Sequence, residues 1–275
     1  MIKLSITYRK NVIIDTHVHL NSYENILKLS FEEKLKALFD TMTNNSIDHS
    51  FILSSYKVNH DRPSTAQILE ITKRYDNIGV IAGLSIDNHT DNDYQNCRKW
   101  LKDGMIKGIK IYCGYEHYYP FDKKYQRVYD LCVEFGIPVL IHTGDTFSKK
   151  GKVRYSHPIN IDEIAVDNPD LKIVMCHLGN PWIIDCQEIL YKNRNVYADI
   201  SGLLVGDVSF RSEKCLINKI MELITYAGEP DYLLYGSDWP ICNMESYISF
   251  VQKLKVSQSQ MDLIMYKNAK KLFRV

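Results

Sequence analysis

Eight short apolar runs rich in β-branched residues, at 12–14, 47–53, 78–84, 106–112, 138–141, 171–176, 195–200 and 232–235, constrain this chain more than any other feature. Between them lie longer stretches in which apolar side chains recur at helical spacing, among them 31–39, 66–75, 93–101 and 125–135. Strand followed by helix, repeated, implies a parallel sheet. Nearly continuous apolar strands are expected where both faces of a sheet are covered, and eight such units close most naturally into an α/β fold, the (β/α)8 TIM barrel. The alternative, a doubly wound open sheet, usually carries a glycine-rich phosphate turn after its first strand; here that position reads Asp15-Thr16-His17-Val18-His19. At 275 residues, with no linker, low-complexity tract or charge block, the chain reads as a single domain over 1–275. The tail, 257–262 followed by 263–273, offers Ser257 or Ser259 as a helix cap and reads as a final helix packed on the barrel.

Composition narrows the partners. A formal net charge of +1 gives no electrostatic footprint for nucleic acid or an anionic membrane. Seven cysteines lie scattered without a C-x-x-C pair, as suits reduced thiols. The first ten residues lack the apolar core of a signal peptide and no apolar run approaches the roughly 20 residues needed to span a bilayer, so a cytoplasmic protein is expected. A homo-oligomer is compatible with all of this.

The strand period of two sends His17 and His19 to the same face, and neutral imidazole is the commonest protein ligand for zinc and related ions. Two ligands do not make a site. Mapped onto the barrel, however, His142 and His177 fall at the ends of strands five and six and Asp238 just beyond strand eight. Those ends surround one mouth, so residues more than 200 positions apart converge. Four histidines and a carboxylate in one small space are electrostatically awkward without a cation, and a divalent metal accounts for them. His49, His60, His89 and His157 show no such convergence.

Lys110 sits inside the fourth apolar run, where a charge needs a reason. It is a snorkelling or salt-bridged lysine, a cation aimed at an anionic substrate, or, once carbamylated, a carboxylate bridging two metals. The loop after that strand crowds Tyr112, Tyr115, His117, Tyr118 and Tyr119 beside the expected mouth. Lys110, Tyr112, His117 and Arg154 are the expected substrate-binding residues, and Arg62 is a further anion partner.

With these residues assembled, the chain resembles the amidohydrolase superfamily of metal-dependent barrel enzymes, specifically its amidohydrolase-related branch, which includes enzymes similar to aminocarboxymuconate semialdehyde decarboxylase. The motifs run nearly end to end: Ile13-Ile14-Asp15-Thr16-His17-Val18-His19, Gly108-Ile109-Lys110-Ile111, Val139-Leu140-Ile141-His142-Thr143-Gly144, Ile173-Val174-Met175-Cys176-His177-Leu178-Gly179, Asn195-Val196-Tyr197-Ala198-Asp199-Ile200-Ser201-Gly202 and Tyr235-Gly236-Ser237-Asp238-Trp239-Pro240. The resemblance implies metal ligation by His17, His19, His142 and Asp238, with His177 near the metal's water or a second metal and Asp238 also accepting a proton. Asp238 and His177 are thus the expected catalytic residues.

That branch is chemically mixed, so the resemblance fixes apparatus better than substrate. The expected reaction is hydrolysis of an amide, lactone or ester in a small carboxylate-bearing substrate, assisted by one divalent ion, most simply Zn²⁺; a second ion would require carbamylated Lys110. Asp15 is placed to orient a ligand histidine. The alternative is a metal-dependent decarboxylase of an aromatic or muconate-type acid, using the same ligands. A TatD-type nuclease generally has a glutamate ligand near strand four, where this chain has Lys110. A non-catalytic binding barrel has no need to keep every ligand, and none of the expected ones is missing.

Overall fold

The structure, a computed structural model, describes residues 12–24, 26–205 and 210–275. The amino-terminal stretch on which the signal-peptide expectation rests lies outside the described residues. Eight parallel strands form one sheet in sequential order: β1 Ile14–Val18, β2 His49–Leu53, β3 Ile78–Gly83, β4 Gly108–Ile111, β5 Pro138–His142, β6 Lys172–Cys176, β7 Val196–Asp199 and β8 Leu233–Leu234. Backbone hydrogen bonds from Thr16 N to Tyr235 O (3.0 Å), Asp238 N to His17 O (2.8 Å) and His19 N to Trp239 O (2.7 Å) join the last strand region to the first. The result is a nearly closed (β/α)8 barrel, as the alternating pattern implies.

Helices α1 Phe31–Asn44, α2 Thr65–Thr72, α3 Asp91–Lys102, α4 Gln126–Phe135, α5 Asn160–Asp167, α6 Ile183–Lys192 and α7 Phe210–Ala227 connect successive strands. After β8 come α8 Met244–Gln252, α9 Gln258–Asp262 and α10 Asn268–Phe273. Local chemistry sets several starts: Ser30 with Glu33, Ser64 with Gln67, Thr90 with Asp93 and Ser257 with Gln260 each form a reciprocal capping box. No helix among the described residues is long and apolar enough to cross a membrane.

The apolar interior divides in two. The larger cluster fills the layer between strands and helices; the smaller fills the barrel, with Ile14, Phe51, Leu53, Ile81, Leu140, Val174 and Leu234 meeting Ala269, Leu272 and Phe273 of α10. Helix α10 therefore plugs the end of the barrel opposite the loops that follow the strands. Its Phe273 ring lies 4.3 Å from Phe51.

β1 differs from the sequence expectation in one informative way. The strand is not the apolar run 12–14 with the histidine motif after it; it begins at Ile14 and runs through the motif. Strict alternation would put Ile14 and Val18 on one face, yet Ile14 belongs to the barrel interior and Val18 to the outer layer. The register against β2 slips by one between Asp15 and Val18, a bulge that reverses the facing of the strand midway. Ile14 packs in the core while His17 and His19 line the cavity at the mouth.

Candidate metal centre and active site

His17 Nδ1 lies 2.9 Å from Asp199 Oδ2 and 3.1 Å from Ser201 Oγ. The Ser201 hydroxyl also donates to Asp199 Oδ1 and lies 2.9 Å from His177 Nδ1. Because its single proton goes to the carboxylate, it can only accept from the two rings. Both His17 and His177 then carry a proton on Nδ1, which makes Nε2 the nitrogen left to face the mouth. His19 reaches the same tautomer independently, its Nδ1 lying 2.8 Å from the Leu53 carbonyl, which can only accept.

Asp238 Oδ1 lies 3.4 Å from His19 Nε2 and 3.9 Å from His17 Nε2. These residues offer three ligand atoms within 4.8 Å of one another, all buried. Two imidazole nitrogens grouped with a carboxylate oxygen form a donor set that suits a divalent ion. The trio fits the metal that the sequence implies. His142 lines the same cavity, but its Nε2 is turned to the Asp145 carbonyl at 2.8 Å, and its ring stands 5.0 Å from that of His177.

Strained backbone presents two of these groups. His177, Leu178 and Gly179 adopt φ of 63°, 49° and 59° in succession, and Asp238 adopts 66°. For residues other than glycine such values cost about 1–2 kcal/mol each, so surrounding contacts must hold them. Gly202 is dictated by both conformation and space: its φ is +65°, and a Cβ there would stand 2.8 Å from His177 Nδ1 and 2.9 Å from Asp238 Oδ2.

Burial and charge sort the proton affinities. Burial pushes the Asp238 carboxyl up to about 6, with positive His17 opposing the rise. Burial works against a charge on His17, but Asp199 outweighs it and holds that ring at about 10. His177 is driven down to about 3 by burial and then by His17. Burial likewise holds His19 and His142 well below the usual histidine range, with His17 adding to the effect on the former and His177 on the latter. Asp15 is raised to about 6 by burial; its Oδ1 accepts from the backbone N–H groups of His17 (3.1 Å) and Ser237 (3.0 Å), which places it as a brace between β1 and the turn after β8.

Above the donors opens a cavity of about 450 Å³. Lys110 reaches it while remaining 1% exposed, donating to Cys176 Sγ at 2.6 Å with the Tyr112 ring centre 5.5 Å away. Tyr112 lines the cavity too, as do Tyr23, Tyr56, Tyr115 and Phe147, and Arg62 sits at its rim with the Tyr23 ring centre 5.8 Å away. His117 and Arg154 do not line it. His117 stacks on Tyr155 at 5.8 Å, and Arg154 donates to the Tyr119 hydroxyl at 2.7 and 2.9 Å, so the two tie the loops after β4 and β5 together.

Sequence reasoning singled out neither Asp199 nor Ser201, which organise the histidines. The available signal was the one used elsewhere: Asp199 is a charged residue closing an apolar run.

The sequence model of the family described as Amidohydrolase matches residues 14–275. No curated protein matches the chain. Among solved structures, an uncharacterised TIM-barrel protein from Bordetella bronchiseptica is similar with a TM-score of 0.74 and 21% identity, covering 96% of this chain and 98% of that one. A probable 2-pyrone-4,6-dicarboxylic acid hydrolase from Acinetobacter baumannii, with citric acid bound, gives 0.67 and 17%, covering 96% and 99%. A 5-carboxyvanillate decarboxylase from Novosphingobium aromaticivorans, with bound manganese and 3-methoxy-4-hydroxy-5-nitrobenzoic acid, gives 0.71 and 13%, covering 96% and 97%. At these identities the likeness is one of fold.

Proposed function

The chain belongs to the Amidohydrolase family, a family of metal-dependent enzymes, and from that premise we propose that it hydrolyses an amide, lactone or ester bond in a small carboxylate-bearing substrate. The observation that carries this reading is the cluster of His17, His19 and Asp238 at the cavity floor, with the buried Lys110 ammonium beside it. His17 and His19 would hold the ion through Nε2 and Asp238 through Oδ1, and His142, whose Nε2 is turned to the Asp145 carbonyl, would add Nδ1 to the set. A single Zn²⁺ is the simplest occupant, and Mn²⁺, which the Novosphingobium decarboxylase holds, is the competitor. When bound, such an ion polarises a carbonyl and lowers the pKa of water toward neutrality.

The remaining work falls to side chains. Asp238, with a carboxyl at about 6, is ionised at neutral pH and ready to take a proton from attacking water and return it to the leaving group. His177 stays neutral with a bare Nε2, which orients that water by accepting a hydrogen bond. Lys110 and Arg62, which line the same cavity, grip the substrate's carboxylate. Tyr112 walls the cavity, while His117 and Arg154 act indirectly, through the loops they fasten.

The second reading, a decarboxylase of an aromatic acid, is favoured by the aromatic wall: Tyr56 stands 5.0 Å from Tyr112 and 5.9 Å from Tyr115, which itself meets His142 at 4.7 Å. One experiment separates the two. The zinc-loaded protein is incubated in ¹⁸O-labelled water with a panel of carboxylated lactones, esters, amides and hydroxybenzoic acids. Label entering a new carboxyl group supports hydrolysis, whereas carbon dioxide release from an acid that acquires no label overturns it in favour of the lyase.

A further inference from the structure

Asp199 is wholly buried at the end of β7, and the proposed reaction makes no use of it. Its two oxygens are divided between two tasks. Oδ2 takes the proton of His17 Nδ1 at 2.9 Å, while Oδ1 accepts from the backbone N–H of His177 (2.9 Å), the backbone N–H of Ser201 (3.1 Å) and the Ser201 hydroxyl. The first task keeps a proton on Nδ1 and so makes Nε2 the nitrogen that faces Asp238. The second anchors the first residue of the left-handed turn 177–179.

We infer that Asp199 is a positioning residue that ties the metal-binding ring of His17 to the turn presenting His177, so that one carboxylate sets both the ion site and the water-orienting histidine. The inference rests on the metal-enzyme reading above. Histidine ligands are commonly oriented by a carboxylate on their far nitrogen, and losing such a partner weakens metal binding about 10–100-fold. What is particular here is that the second oxygen is committed elsewhere, to three donors.

That division predicts different results for two substitutions. An asparagine has a single acceptor oxygen. In Asp199→Asn that oxygen follows the three donors, and the amide NH2 then faces His17 and donates to Nδ1. The proton moves to Nε2, the nitrogen the ion needs. In Asp199→Ala both anchors go.

The experiment compares the parent with both variants, each first shown to fold by circular dichroism. Zinc affinity is measured by competition with a chromophoric chelator, His17 protonation by ¹⁵N NMR, and the His177 amide by hydrogen exchange. Asp199→Asn is expected to bind zinc 10–100-fold more weakly and to lose the Nδ1 proton of His17 while the His177 amide stays protected. Asp199→Ala is expected to lose that protection as well. A retained Nδ1 proton in Asp199→Asn, zinc affinity within about twofold of the parent, or equal His177 exchange in the two variants overturns the inference. If the parent itself takes up no zinc, the metal reading fails by that result, while the Nδ1 proton and the amide exchange still decide the role of Asp199.

Discussion

The two ends of the barrel interior are built by the same strands and differ completely in chemistry. On β5 the inward sequence runs from Leu140 to His142, and across the bulge of β1 from Ile14 to His17. At the closed end the side chains are hydrocarbon, stoppered by Phe273 of α10; at the mouth, one layer further along, they are histidines, carboxylates and a lysine. A displacement of two or three residues thus separates packing from catalysis. The lesson is a division of labour: the closed end offers hydrophobic burial that offsets the cost of gathering buried polar groups at the other. Each end should therefore be breakable without the other.

The largest effect is expected at the mouth. Asp238→Asn should lower the rate on any accepted substrate by on the order of 10²–10⁴-fold, because the proton acceptor and an ion ligand go together. Its thermal unfolding in the metal-free state should barely move; a variant retaining near-parental activity would remove Asp238 from the proton path. At the other end Phe273→Ala should cost about 3–5 kcal/mol in chemical denaturation, by opening a void against Phe51. Zinc affinity of the folded fraction should stay within about twofold, and a marked loss would show that the two ends are coupled.

A subtler expectation concerns protons. In the metal-free protein His17 holds its extra proton up to about pH 10, so an ion arriving at neutral pH must displace it. Below about pH 6 Asp238 is also protonated and a second proton must leave. Zinc affinity should therefore fall about tenfold per unit as pH drops from 9 to 7, and about a hundredfold per unit below 6. Calorimetry in buffers of different ionisation enthalpy counts the protons released, and a count of zero at pH 7 would contradict the charge on His17. The smallest effect belongs to His117→Ala and Arg154→Ala. As loop fasteners outside the cavity, they should change kcat less than about threefold and stability by about 0.5 kcal/mol or less, whereas Arg62→Ala should raise KM.

Most of the barrel was legible in the chain because hydrophobic periodicity is a local signal. Each expected run overlaps an observed strand, and Ser257 caps where a cap was expected. His17, His19, His142, His177 and Asp238 were legible for a related reason: each interrupts or closes an apolar run, and the barrel brings all such ends to one mouth. His117 and Arg154 looked equivalent to Tyr112 in sequence because a loop has no period from which facing can be read; in the structure one set turns outward and the other inward.

What the sequence by itself determined is the repeating strand and helix, the capped helix starts and the residue types at the strand ends, all of which depend on neighbours a few positions away. What only the tertiary structure decided is which nitrogen of each histidine faces the centre, how the bulge in β1 reverses its facing, and that Asp199 serves His17 and His177 at once. Those depend on partners 22 and 182 positions apart along the chain. Hydrogen bonds of that kind are set by angstroms between strands, and no spacing along one strand encodes them.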